Sequence, residues 1–152
     1  MAVTMSGEVQ LQTTREDVWA KLNDPEVLRL CIPGCEGLER PDDGGVRAVA
    51  KMKVGPVSAR FKGKVMLSDL DPPNGYRISG EGEGAIAGFA KGGATVRLSE
   101  GDGGALLSYQ VEAQVGGRLA QLGQRMVSVA ARRIADEFFA NLASVVRGGS
   151  LG

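Results

Sequence analysis

The sequence predicts an α+β fold, an antiparallel sheet with one long C-terminal helix laid across a face of it. Two patterns carry that expectation. Leu119, Leu122, Met126, Ala130, Ile134, Phe138, Leu142 and Val145 recur at steps of three or four residues, the helical period. They predict one continuous helix from Gly117 to Val146, roughly 40 Å long at the usual helical rise. Most of the preceding chain alternates apolar and polar residues between turn-forming clusters, which is the strand signature.

Taken in order, Met5 to Thr13 reads as a strand with Val9 and Leu11 on one side and Glu8, Gln10 and Gln12 on the other. Thr14, with Asp17 three residues on, resembles a capping box and starts a helix that buries Val18, Trp19 and Leu22 and stops near Asn23. Asp24 then caps a second short helix with Pro25 at its first position, ending at Cys31-Ile32-Pro33-Gly34. Six more strands are expected over Gly37 to Arg40, Val46 to Val54, Val57 to Asp69, Tyr76 to Glu83, Phe89 to Glu100 and Ala105 to Val115. Between several of them lie Pro41-Asp42-Asp43-Gly44-Gly45, Gly55-Pro56, Pro72-Pro73-Asn74-Gly75 and Gly101-Asp102-Gly103-Gly104, all turn chemistry. Short connections between consecutive strands imply antiparallel pairing, with one face under the helix and the other in water.

Alternation also names the inner face: Val46, Ala48, Ala50, Met52 and Val54, then Val57, Ala59, Phe61, Gly63, Val65 and Leu67, then Leu107, Tyr109, Val111, Ala113 and Val115. Many of these side chains are small. Protein interiors are close-packed, so small residues beneath a helix that carries Ala130 imply either unfilled volume or a close approach of helix to sheet. The pattern leaves both open.

The 152 residues fit a single domain, 1–152, with 147–152 expected as a flexible tail. Eighteen basic and eighteen acidic side chains cancel, so no global field favours nucleic acid. No stretch approaches the ~18 apolar residues of a membrane-spanning helix, and Met1 to Glu8 lacks the pattern of a signal peptide. The expectation is a cytoplasmic protein with reduced Cys31 and Cys35. Histidine is absent, which removes the Ser-His-Asp and Cys-His nucleophiles and the ordinary zinc sites. No catalytic residue, no metal site and no tightly bound cofactor is expected.

Other clusters have modest readings. The glycines from Gly80 to Gly93 neither open a helix nor precede a Lys-Ser/Thr pair, so they suit bending strands better than phosphate binding. Ala85 to Phe89 can form a mobile portal loop. Glu81 and Glu83 share a strand face, most simply the solvent side, which argues against acid-base work. Arg47, Lys51, Lys53, Arg60, Lys62 and Lys64 lie on the polar faces of two adjacent strands without an intervening acid. Lys51, Lys53, Arg60, Lys62 and Lys64 are therefore the expected partner or membrane surface, against the simpler reading of a solvated face. Arg118, Arg125 and Arg132 form a second basic line, with Arg132 placed to pair with Asp136. Tyr109 is expected inside any cavity, where its phenol needs a partner.

Several motifs together resemble a known family: Ser6-Gly7-Glu8, Cys31-Ile32-Pro33-Gly34-Cys35, Val54-Gly55-Pro56-Val57, Phe61-Lys62-Gly63, Gly82-Glu83-Gly84, Gly88-Phe89-Ala90-Lys91-Gly92, and Gly117-Arg118-Leu119-Ala120-Gln121-Leu122-Gly123 running to Phe138-Phe139. Their order resembles the carbon monoxide dehydrogenase G-subunit family, within the helix-grip superfamily that includes START lipid-transfer and polyketide cyclase-like domains. The resemblance covers about Met5 to Val146. It implies a seven-stranded curved antiparallel sheet wrapped around the long C-terminal helix, with two short helices after the first strand and an apolar tunnel. It also implies an apolar ligand, an isoprenoid quinone or lipid, and service to a molybdenum hydroxylase complex of the carbon monoxide dehydrogenase type, with peripheral contact at the inner membrane. The expected ligand lining is Trp19, Met52, Phe61, Val65, Phe89, Tyr109, Leu122, Met126, Ala130 and Ile134. The alternatives are an assembly or membrane-recruitment factor acting through the basic surface, and a small cyclase or hydrolase.

Overall fold

A computed structural model describes residues 1–41 and 44–148. Asp42 and Asp43 of the expected turn, and residues 149–152 of the expected tail, lie outside the described residues. Seven strands form one sheet: β1 (Ala2–Leu11), β2 (Cys35–Glu39), β3 (Gly45–Val54), β4 (Val57–Asp71), β5 (Gly75–Glu83), β6 (Phe89–Gly101) and β7 (Gly104–Gly116). Their order in space is β1-β7-β6-β5-β4-β3-β2, every pair antiparallel. After β1 come α1 (Arg15–Leu22) and α2 (Pro25–Cys31), and after β7 come α3 (Arg118–Gln121) and α4 (Gln124–Val146).

Both short helices begin as the sequence predicts. The Thr14 hydroxyl accepts from the Asp17 N–H, and the Asp24 carboxylate from the Glu26 N–H. The long helix differs from expectation. It is broken at Gly123, which sits at φ +88° and ψ 154°, a conformation open to glycine and costly for other residues. The apolar spacing runs straight through this break, so periodicity alone could not reveal it.

α4 packs against both β1 and β3, which lie near opposite edges of the sheet. The sheet therefore curls around the helix, as the resemblance implies. Burial follows the expected alternation: Val46, Ala50, Val54, Val57, Leu107, Tyr109 and Val115 are buried, while the intervening Arg47, Lys51, Lys53, Ser58, Gln110 and Gln114 are exposed.

The buried residues form two clusters. The larger joins Leu11, Val18, Leu22, Cys31, Tyr76, Val96, Leu98, Leu107, Tyr109 and Leu142, packed by Trp19, Phe138 and Phe139. It fills the space under the C-terminal half of α4, where the Asn141 amide also donates to the Cys31 carbonyl at 3.1 Å. The smaller gathers Val3, Val54, Val57, Ala87, Val115, Leu119, Val127 and Ala130 under the N-terminal half. Aromatic side chains fill the first half. In the second, valine, alanine and glycine leave space.

Candidate functional site: an apolar hollow under the N-terminal half of α4

Between the sheet and the first turns of α4 lies a half-open hollow of about 390 Å³. β3 contributes Ala48, Ala50, Met52 and Val54, and β4 contributes Phe61 and Gly63. Gly82, Ala90, Val111, Ala113 and Val115 come from β5, β6 and β7, with Val3 from β1. Leu119, Val127, Ala130, Ala131 and Ile134 close it from the helical side, and Ile32 from the end of α2. Every side chain in this lining is apolar. The hollow can accept hydrocarbon but offers no side-chain donor, acceptor or titratable group.

The space has a definite origin in the register. Ala48 pairs with Gly63, Gly63 with Gly82, and Gly82 with Ala90, so four small residues lie in one row across four strands. A Cβ added at Gly63 would approach only the Glu81 carbonyl oxygen at 3.9 Å and the Ala48 carbonyl oxygen at 4.0 Å. At Gly82 its neighbours would be the Lys62 carbonyl oxygen at 3.6 Å and Gly63 Cα at 3.9 Å. These are ordinary contacts. Other glycines are filled by neighbours: at Gly80 a Cβ would lie 2.6 Å from Val65 Cγ1, and at Gly84 2.5 Å from the Phe61 ring. Of the two possibilities left open by the sequence, unfilled volume is the one realised in this row.

Met52, Phe61, Ala130 and Ile134 line the hollow; the other six expected lining residues lie elsewhere. Trp19 packs edge-on against Tyr76, with ring centroids 5.4 Å apart, in the filled half. Tyr109 is there too, stacked on Phe139 at 5.0 Å. Its hydroxyl accepts from Arg132 Nη1 at 2.9 Å, and Arg132 Nη2 donates to the Ser6 carbonyl at 2.7 Å. Arg132 is thus turned to β1 and β7, correcting the expected pairing with Asp136. Val65 covers Gly80, two residue pairs along β4 from Gly63 and Gly82.

Phe89 points outward because Ala90 takes the inward position in β6; its ring lies over Gly116. Leu122 packs on the smaller cluster just before the Gly123 break. Met126 is partly exposed, its thioether over Gly55, and Val127 takes the inward place instead. Half of the lining residues absent from the expected set are alanine or glycine, Ala48, Ala50, Gly63, Gly82, Ala90 and Ala113 among them. Strand alternation puts several of them on the inner face, but the presence of space beside them is a tertiary property.

A larger cleft of about 930 Å³ lies on the outer face of the sheet, lined by Arg29, Glu39, Lys62, Lys64, Glu81, Glu83 and Lys91 among others. Here the basic run meets carboxylates. Lys62 sits opposite Glu83, Lys64 opposite Glu81, and Glu81 also opposite Lys91. Arg60 forms a salt bridge to Glu36, and its guanidinium, hydrogen-bonded to that carboxylate, holds Glu36 below its ordinary pKa. Lys51 and Lys53 are exposed on β3. The strand registry therefore interleaves signs that are segregated in sequence.

Cys31 is buried, and burial pushes its thiol up to about 11, so at neutral pH it is a packed thiol and not a thiolate. Cys35 is half-buried, and both are free. Among the described residues, no cluster of His, Cys, Asp or Glu could hold a metal. None of their helices is long and apolar enough to cross a membrane.

A sequence model of CoxG, the G subunit of carbon monoxide dehydrogenase, matches residues 7–147. The chain belongs to the CoxG family. No curated protein sequence matches it. Among solved structures, a conserved protein from Geobacillus kaustophilus is similar over 96% of both chains, with 28% identity and a TM-score of 0.89. A START superfamily protein from Mycobacterium smegmatis has 15% identity and a TM-score of 0.72, over 95% of this chain and 97% of that one. Norcoclaurine synthase from Thalictrum flavum has 15% identity and a TM-score of 0.63, over 97% and 96%. The last two relate this CoxG family member to the START-like helix-grip fold.

Proposed function

We propose that the chain is a non-catalytic carrier that takes the hydrocarbon part of a lipid or isoprenoid quinone into the hollow under α4, and that it serves a molybdenum hydroxylase of the carbon monoxide dehydrogenase type. The observation that carries this is the hollow's wholly apolar lining, with vacant positions beside Gly63 and Gly82. The family membership supports the link to the enzyme. The absence of any titratable side chain from the lining favours a carrier over the cyclase or hydrolase alternative. Gentle purification from the native host, solvent extraction and mass spectrometry test the reading. A stoichiometric lipid or quinone supports it; a protein that is empty and takes up no added amphiphile refutes it.

A second reading, membrane or enzyme recruitment, is favoured by one separate observation. Segments 53–57, 84–90 and 114–133 come together where Gly55 lies under Met126 and Gly88 against Gly116 and Gly117, and they contain five Lys or Arg but no Asp or Glu. Ile86 (82% exposed) and Val129 (65% exposed) project there beside Phe89 and Met126. Apolar tips among cations suit an anionic bilayer, so this patch is a better candidate than the interleaved charges of Lys62 and Lys64. Cosedimentation with phosphatidylglycerol vesicles, lost in Ile86→Asp with Val129→Asp but kept in Lys62→Glu with Lys64→Glu, is the expected result. In this reading the chain stays cytoplasmic, with peripheral contact at the inner membrane.

A further inference from the structure

Ile32, Met52, Ala131 and Ile134, all half-buried, carry the lining of the half-open hollow to the seam between the end of α2, β3 and α4. One flanking cation marks this seam. Arg133 lies between the lining residues Ala131 and Ile134. It is exposed, and its Nη2 donates to the Lys53 carbonyl at 3.0 Å, so the guanidinium stands across the seam. On its other side α4 is fastened to β1 by Gln124 to the Ala2 carbonyl and Arg132 to the Ser6 carbonyl.

We infer that the ligand is a single-chain amphiphile bound tail-first, with an anionic head held at the seam by Arg133. The inference rests on the carrier reading above and adds the orientation and the head chemistry. The tail length follows from volume. An apolar cavity of ~150 Å³ holds a benzene molecule, so 390 Å³ holds roughly fifteen carbons.

The head cannot go in with the tail. Nothing lining the hollow can accept or donate a side-chain hydrogen bond, and burying a polar group without a partner costs about tenfold or more in affinity. At the seam it meets a guanidinium, whose planar donors suit a carboxylate or phosphate. Asp136 and Glu137, both exposed, are the acids that follow Arg133 on α4. Among the described residues neither forms an ion pair with Arg133, which leaves its positive charge to the ligand.

Equilibrium dialysis of the full chain against tetradecanoate, tetradecyl phosphate, tetradecanol and tetradecyltrimethylammonium, each below its micellar concentration, tests this. Both anions are expected to bind about fivefold tighter than the alcohol at low salt, with the advantage shrinking at ~0.5 M salt as screening shortens. The ratio between the two anions tells a carboxylate from a phosphate preference. Arg133→Gln, which keeps a donor for the Lys53 carbonyl while removing the charge, should lower anion affinity and leave the alcohol unchanged; Lys53→Gln, on the wet face of β3, should change neither. Alcohol binding equal to the anions, or preference for the ammonium, overturns the head assignment and leaves the carrier reading standing. No binding of any of the four overturns both.

Discussion

If the row Ala48-Gly63-Gly82-Ala90 borders real empty space, adding a methyl group there should stabilise the protein. Gly82 is the test position. Its strand backbone lies outside the left-handed region, and a Cβ would meet nothing closer than 3.6 Å. Gly82→Ala removes unfolded-state freedom worth ~0.4–1 kcal/mol, and burial of the methyl adds about 0.8 kcal/mol. The expected gain is therefore about 1–2 kcal/mol, or a few degrees in Tm for a domain of this size. Gly80→Ala, in the same strand, is the internal control. There the Cβ would lie 2.6 Å from Val65 Cγ1 and 2.8 Å from the Lys64 carbonyl oxygen, so a loss of about 1–3 kcal/mol is expected. Urea unfolding followed by fluorescence of Trp19, the single tryptophan, measures both. Gly82→Leu then extends the experiment from stability to function, because its side chain would occupy the space a hydrocarbon tail needs. Tetradecanol binding should fall at least about tenfold in this variant. Two results refute the reasoning. A Gly82→Ala variant as unstable as Gly80→Ala means that the position is filled, and a Gly82→Leu variant that binds the alcohol normally puts the ligand elsewhere.

Four further outcomes are expected. Tyr109→Phe leaves Arg132 Nη1 without its phenol acceptor and should cost about 1–2 kcal/mol in urea unfolding, while tetradecanol affinity stays unchanged because Tyr109 lies in the filled half; a fall in affinity would contradict that placement. Native protein should show one thiol to a disulfide reagent, Cys35, with Cys31 reacting only on unfolding. Because burial raises the folded Cys31 pKa to about 11 from its ordinary 9.0, its contribution is complete below pH 9.0 and is lost as pH rises toward about 11; Cys31→Ala should flatten that alkaline decline. Asp17 acts at the other extreme. Its carboxylate accepts from Lys21 Nζ at 2.6 Å and from the Thr13 hydroxyl at 2.8 Å, which lowers its pKa, Lys21 first. Its stabilisation is therefore present above the unfolded carboxylate value and lost as pH falls through the lowered one. Asp17→Asn should reduce the acid sensitivity of unfolding, and an unchanged acid limb would count against the pairing.

The fold is largely legible in the sequence because its determinants are local. Thr14 and Asp24 cap helices through their own side chains, Gly55-Pro56 and Gly101-Asp102-Gly103-Gly104 turn the chain, and alternation of period two fixes which face of each strand is wet. The motif order from Ser6 to Phe139 also points to the family. The candidate site is less legible. Met52, Phe61, Ala130 and Ile134 can be chosen because large or inward-facing apolar residues announce themselves. Trp19 and Tyr109 look equally suitable, yet they fill the other half of the interior by packing against Tyr76 and Phe139, residues more than twenty positions away.

Strands, both short helices, the inner face and the lack of histidine chemistry all follow from composition and local pattern. Where the core is full and where it is empty follows from the assembled fold alone. A glycine reads the same in sequence whether Val65 covers it, as at Gly80, or open space faces it, as at Gly82. Cross-strand register sets that difference, and it also places Glu81 and Glu83 among lysines that the sequence keeps apart from any acid. Packing density and charge balance are both sums over neighbours, and the neighbours are chosen by the fold.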